Sequence, residues 1–148
     1  MLKPLVVVMP RNAGEEKMVA HSKKAILIVD DEEEIIAVIV RKILSEHSDR
    51  YSSLVATDGY EALDYMKRHD VALVVLDIRM PNLDGIGVCR KAMTDPKMHQ
   101  IPILVTSGFL NDDDKEHLRS FGIRHFSDKP YKINSLFEKI DEIFGQPA

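Results

Sequence analysis

Five short apolar, mostly β-branched runs recur along this 148-residue chain, and each is followed by a segment whose apolar residues return at helical spacing. The runs are residues 25–29, 53–57, 71–76, 101–106 and 123–127. Ile35, Ile36, Ile39, Val40, Ile43 and Leu44 mark the first helix, and Ala62, Leu63 and Met66 the second, which Asp58 and Glu61 open as a capping box. Ile86, Cys89 and Met93 mark a third helix, and residues 111–121 read as a polar, weakly amphipathic fourth stopped by Gly122. Ile133, Leu136, Phe137, Ile140, Ile143 and Phe144 give the last helix a clean core stripe. Strands that alternate with helices predict a parallel sheet with right-handed crossovers and helices on both faces. The near-continuous apolar run 71–76 suits the sheet's centre.

The length suits one compact domain, and 45% hydrophobic with 30% charged residues is an ordinary globular balance. A net charge of −4 gives no electrostatic case for nucleic acid or an anionic membrane surface. Cys89 is the single cysteine, so no internal disulfide or cysteine metal cage can form, and it reads as a small buried apolar residue. No apolar stretch approaches the length of a membrane span, and the short apolar run near Leu5 is flanked by Pro4 and Pro10 without a small-residue cleavage site. The chain reads as cytoplasmic. Residues 1–23 lie outside the pattern and are expected to form a flexible extension, or an over-long start with Met18 just ahead of the first run. Residues 24–144 hold the domain, and 145–148 form a short tail with no second domain behind it.

The chemistry gathers at strand ends. The run 25–29 ends in Asp30-Asp31, and 71–76 ends in Asp77, followed by the turn Ile78-Arg79-Met80-Pro81-Asn82-Leu83-Asp84-Gly85. Open α/β sheets bind ligands outside the carboxyl ends of their strands. Two adjacent strand ends would bring three acids together, and their mutual repulsion calls for a hard cation such as Mg2+. Each residue also has a plainer reading. Asp31 with Glu34 could be a helix cap and its box partner, Asp77 a turn-initiating aspartate, and Ser107 a loop hydroxyl satisfying its own backbone. The acidic run Asp112 to Asp114 has no strand end behind it and reads as a solvated helix start. None of the six histidines forms a ligand pair at helical or strand spacing, though His125 could face a partner.

Together these residues resemble the receiver domains of two-component response regulators over residues 24–144. Asp30-Asp31 follows the first strand, Asp77 the third, with Met80-Pro81 and Asp84-Gly85 behind it, Ser107-Gly108 the fourth, and Lys129-Pro130 the fifth. Each signal alone is weak, but together, in this order at the ends of four of the five strands, they are specific. The resemblance implies a doubly wound, flavodoxin-like sheet of strand order 2-1-3-4-5 in a stand-alone, chemotaxis-regulator-like chain without an output domain. It implies that Asp77 accepts a phosphoryl group from a histidine kinase or histidine phosphotransfer protein, making the chain a signalling protein rather than an enzyme. It further implies Mg2+ held by Asp31 and Asp77 directly, by Asp30 through water, and by the backbone carbonyl of Arg79. Lys129, aimed by a cis bond to Pro130, would pair with a phosphoryl oxygen, and Ser107 would hydrogen-bond the group after transfer.

In the family an aromatic three residues before the lysine then turns inward, which here is Phe126 in place of the common tyrosine. The output face would be the fourth helix, fifth strand and fifth helix, presented to a downstream protein. Arg79 and Phe109, each two residues beyond a site residue, would screen the phosphoryl group from water and slow its loss. Two other classes compete. A phosphorylation-independent adapter on the same fold usually lacks one or more site residues, whereas all five are intact here. A haloacid-dehalogenase-like phosphatase would place its nucleophile after the first strand in an Asp-x-Asp arrangement, which adjacent Asp30-Asp31 does not make.

Overall fold

The computed structural model describes residues 23–129 and 132–145. In chain order the elements are β1 (Lys24–Val29), α1 (Glu33–Glu46), β2 (Tyr51–Ala56), α2 (Gly59–Arg68), β3 (Val71–Asp77), α3 (Gly85–Met93), β4 (Ile103–Ser107), α4 (Asp112–Ser120), β5 (His125–Asp128) and α5 (Ile133–Gly145). All five strands are parallel and their order is β2-β1-β3-β4-β5, the expected doubly wound arrangement. The expectations for the N-terminal extension, the end of the tail and the Lys129–Pro130 bond fall on residues outside those described. No helix among the described residues is long and apolar enough to cross a membrane.

Strand periodicity divides the core in two. Successive side chains point to opposite faces, so Ile26 and Ile28 of β1, Leu73 and Val75 of β3 and Leu104 of β4 pack against α1 and α5. Their neighbours Leu27, Val29, Val74, Leu76 and Val105 pack against α2, α3 and Leu118 of α4. Both faces of the three inner strands are therefore buried, as their unbroken apolar runs require. The helices differ in how firmly they are held. α5 buries Leu136, Phe137, Ile140 and Ile143, whereas α4 buries Leu118 alone.

β1 starts one residue early, at Lys24, and three strands start two residues from where expected. β2 begins at Tyr51, not residue 53, because that ring is buried and its hydroxyl donates to Asp141. β4 begins at Ile103, since Pro102 has no N–H for the ladder, although its carbonyl still accepts from Val74 N–H at 3.0 Å. β5 begins at His125, because Ile123 is taken up by the end of α4. There Gly122 adopts φ 97° and Ile123 N–H donates to the Leu118 carbonyl. The Asp31–Glu34 capping box does not form. Glu32 occupies the N-cap without a side-chain bond, and its N–H donates to Asp30 Oδ1 at 2.9 Å. Asp58, Asp84 and Asn111 do cap their helices, accepting from Glu61, Gly87 and Asp114 N–H at 2.8–2.9 Å.

Candidate functional site

The sheet order brings the expected residues to one edge. Val29 pairs with Leu76, so Asp30 and Asp77 leave adjacent strand ends. Asp77 pairs with Thr106, and Ser107 with Asp128. Lys129 N–H then donates to the Ser107 carbonyl at 2.7 Å, carrying the ladder one residue further. Gly85, the first residue of α3, closes the edge from behind. A Cβ there would lie 2.6 Å from the Asp77 carbonyl oxygen, so the close approach needs glycine.

Lys129 crosses the acid cluster. Its Nζ lies 2.7 Å from Asp30 Oδ2, 3.4 Å from Asp77 Oδ1 and 3.5 Å from Glu32 Oε1. Asp30 is 3% exposed and Asp77 5%, so two acids are withdrawn from water around one ammonium. Burial, then the charge of Asp30, pushes the Asp77 carboxyl up to about 6 against the pull of Lys129. Asp30 has one oxygen on Glu32 N–H and the other on Lys129. Asp31 is exposed and has no such bond among the described residues.

Asp30, Asp31, Glu32 and Asp77 each offer a carboxylate oxygen, all within 4.8 Å of one another. Four carboxylates and one ammonium leave an excess of negative charge, and an all-oxygen donor set suits a hard divalent cation. Both Asp30 oxygens are engaged within the protein, while Asp31 is exposed at the cluster's open side. Glu32 is a member that sequence reading did not pick out. It stands in the acidic run after β1, but only the helix start at Glu33 turns it toward Lys129.

The cluster opens into a cleft of about 980 Å³ lined by Ile35 and Val38 of α1, by Arg79, and by Gly108 and Phe109 after β4. Phe109 is 66% exposed at its mouth. The Ser107 hydroxyl donates to the Phe109 carbonyl at 2.9 Å, so in this state it satisfies its own backbone, as the plainer reading had it. The neighbouring Thr106 hydroxyl is buried and reaches the Leu76 carbonyl at 3.4 Å. Phe126 is half-buried, with the Arg119 guanidinium 5.3 Å above its ring. His47 stacks on Phe137 far from this edge, and burial, then Arg124 and Lys139, holds His125 below its ordinary value. Cys89 is fully buried, and burial raises its thiol to about 12, so it is inert as read.

The family model for the response regulator receiver domain matches residues 26–141. The polar-differentiation response regulator DivK of Brucella ovis is 27% identical over 95 residues, which is 64% of this chain and 77% of that protein. A response regulator receiver protein of Pseudomonas putida superposes with a TM-score of 0.75 at 20% identity, over 82% of this chain and 98% of that one. The receiver domain of a sensor histidine kinase of Pseudomonas aeruginosa, with a magnesium ion coordinated in its active-site cleft, superposes with a TM-score of 0.71 at 22% identity, over 84% of this chain and all of that one.

Proposed function

The chain belongs to the response regulator receiver family, and from that membership we propose that it takes a phosphoryl group from a phosphohistidine onto Asp77 and reports the event through protein contacts. The observation that carries this reading is Lys129, an ammonium set 2.7 Å from Asp30 and 3.4 Å from Asp77 within an otherwise anionic cluster at the ligand-binding end of the sheet. An Asp77 oxygen attacks phosphorus, the P–N bond of the donor breaks, and the histidine nitrogen leaves with the electron pair. The product is an aspartyl phosphate. With its carboxyl raised only to about 6, Asp77 is mainly ionised at pH 7 and ready as the nucleophile.

Asp31, Asp77 and the Arg79 carbonyl would hold Mg2+ with Asp30 behind them, and the ion would neutralise charge on the phosphoryl oxygens. Lys129 would exchange its contact with Asp77 for a phosphoryl oxygen. The Ser107 hydroxyl would leave the Phe109 carbonyl and turn to the new group, and Phe126 would move into the vacated space. Phe126 has no hydroxyl, so it reports the state by packing alone. Arg119 above its ring links that motion to α4, whose single buried residue leaves it the easiest helix to shift. A histidine kinase or histidine phosphotransfer protein would act upstream, and a downstream protein would read the α4–β5–α5 face. Arg79 and Phe109 at the cleft would slow hydrolysis of the phosphoryl group.

Intact mass after incubation with acetyl phosphate and Mg2+, beside Asp77→Ala, tests the reading. One added phosphoryl group that needs the metal and is absent from the variant is the expected result. No gain, from either acetyl phosphate or a histidine donor, would move the reading to a phosphorylation-independent adapter. Steady turnover of a phosphate ester would move it to a phosphatase.

A further inference from the structure

The loop that follows Asp77 is held from outside the acid cluster. Among the described residues Asn82 is the one non-glycine with left-handed backbone, at φ 68°, a region asparagine enters more readily than most side chains. Its Nδ2 donates to Asp58 Oδ2 at 3.2 Å, while Asp58 Oδ1 accepts from Glu61 N–H at 2.9 Å. One carboxylate thus caps α2 and grips the loop after β3. The Glu61 N–H, and after it the Asn82 amide, hold the Asp58 carboxyl below its usual range.

Backbone packing continues the connection. A Cβ on Gly59 would lie 2.4 Å from the Leu83 carbonyl oxygen, so the loop rests directly on the first turn of α2. The loop then enters α3 at Gly85, which donates to the Ile78 carbonyl at 2.8 Å and packs against the Asp77 carbonyl. A line of contacts therefore runs from the start of α2 to the backbone that carries the acceptor.

We propose that Asp58 and Asn82 are positioning residues, whose hydrogen bond fixes the 78–84 segment and through it the placement of the Asp77 carboxylate and the Arg79 carbonyl. That this placement serves a cation rests on the function proposed above; that the bond fixes the segment does not.

Two variants separate positioning from simple support. Asn82→Gly is at ease with left-handed backbone and removes the amide together with the rest of the side chain, freeing the backbone as well, which the second variant does not do. Asp58→Ser keeps a capping oxygen for α2 but withdraws from Asn82. Both should unfold cooperatively with little change in stability. In the metal-free protein, amide exchange at Ile78 and Gly85 should nonetheless quicken about tenfold, and Mg2+ affinity by calorimetry should fall about tenfold, as for losses just outside a metal's ligands. Combining the two should be no worse than either alone, since each removes the same bond. Unchanged exchange in either variant, losses that add in the double variant, or faster exchange with undiminished Mg2+ affinity would each overturn the proposal. If the wild-type chain bound no Mg2+, the proposed function would fail, and metal-free exchange alone would decide whether the brace stands.

Discussion

The two ends of the sheet handle charge in opposite ways. At the amino end of the strands, Asp141 of α5 accepts from the buried Tyr51 hydroxyl and lies 3.4 Å from Arg50. Arg50 in turn donates to His47 Nδ1 at 2.7 Å, and the His47 ring lies parallel to Phe137 at 4.6 Å. Lys24 sits 4.5 Å above Phe144. Every charge in that cluster has a partner, and burial together with Asp141 raises the Tyr51 hydroxyl so that it stays a donor. At the carboxyl end, four acids crowd together with one lysine that reaches three of them, and one of the acids is pushed up toward neutral pH. One end binds α1, β2 and α5 into a unit. The other holds unbalanced charge for a ligand to relieve, an instance of function placed where stability is given up.

Substitutions at the two ends should therefore differ in sign as well as size. The largest effect belongs to the amino end. Phe137→Ala should lower unfolding free energy by about 3–5 kcal/mol in urea titrations, since the ring is buried against His47. Asp141→Ala should cost about 1–3 kcal/mol by stranding the Tyr51 hydroxyl, and adding Tyr51→Phe should recover part of that loss. An additive double variant would show that the clasp is not a coupled unit.

Asp77→Asn should do the reverse and stabilise the metal-free protein, by about 1–2 kcal/mol near pH 8 after screening at the open cleft is allowed for. The sign follows from the raised carboxyl. Folded Asp77 holds its proton up to about pH 6, against about 4 in the unfolded chain. The wild type therefore keeps this stability below pH 4 and loses it as pH rises through 6. The gain from Asp77→Asn should accordingly vanish in melts near pH 4. A gain that persisted there would mean that charge is not its cause.

The smallest effect is the ion's. Mg2+ at ten times its dissociation constant should raise wild-type stability by about 1.4 kcal/mol. That increment should be absent in Asp31→Asn and should shrink below pH 6, where the proton on Asp77 competes with the metal. Stabilisation of Asp31→Asn equal to wild type would place the ion elsewhere.

Much of this contrast was written unevenly in the sequence. Asp30, Asp31 and Asp77 were legible because apolar runs end abruptly in acids, as at Leu76-Asp77, whereas the strand order and the places of Ser107 and Lys129 came with the family resemblance. The amino end was not legible. Tyr51 and Asp141 stand 90 positions apart, and no local pattern pairs them. Strand starts failed where burial served another element, as for Ile123 beneath α4, or where the strand opened on a polar stretch, as at Tyr51-Ser52-Ser53. Glu32 was hidden for a third reason. Its position toward Lys129 depends on where α1 begins, which the acidic run from Asp30 to Glu34 leaves open.

α4 is held to the core by the single buried side chain of Leu118. Displacing Leu118 forfeits roughly 1.5–3 kcal/mol of apolar burial, which leaves a displaced α4 populated at about 0.5–10% with no phosphoryl group present. That displaced population should be measurable as millisecond exchange of the Leu118 methyl groups; if α4 carries the proposed signal, the unmodified pool would have a standing basal output on which phosphorylation acts as a gain control.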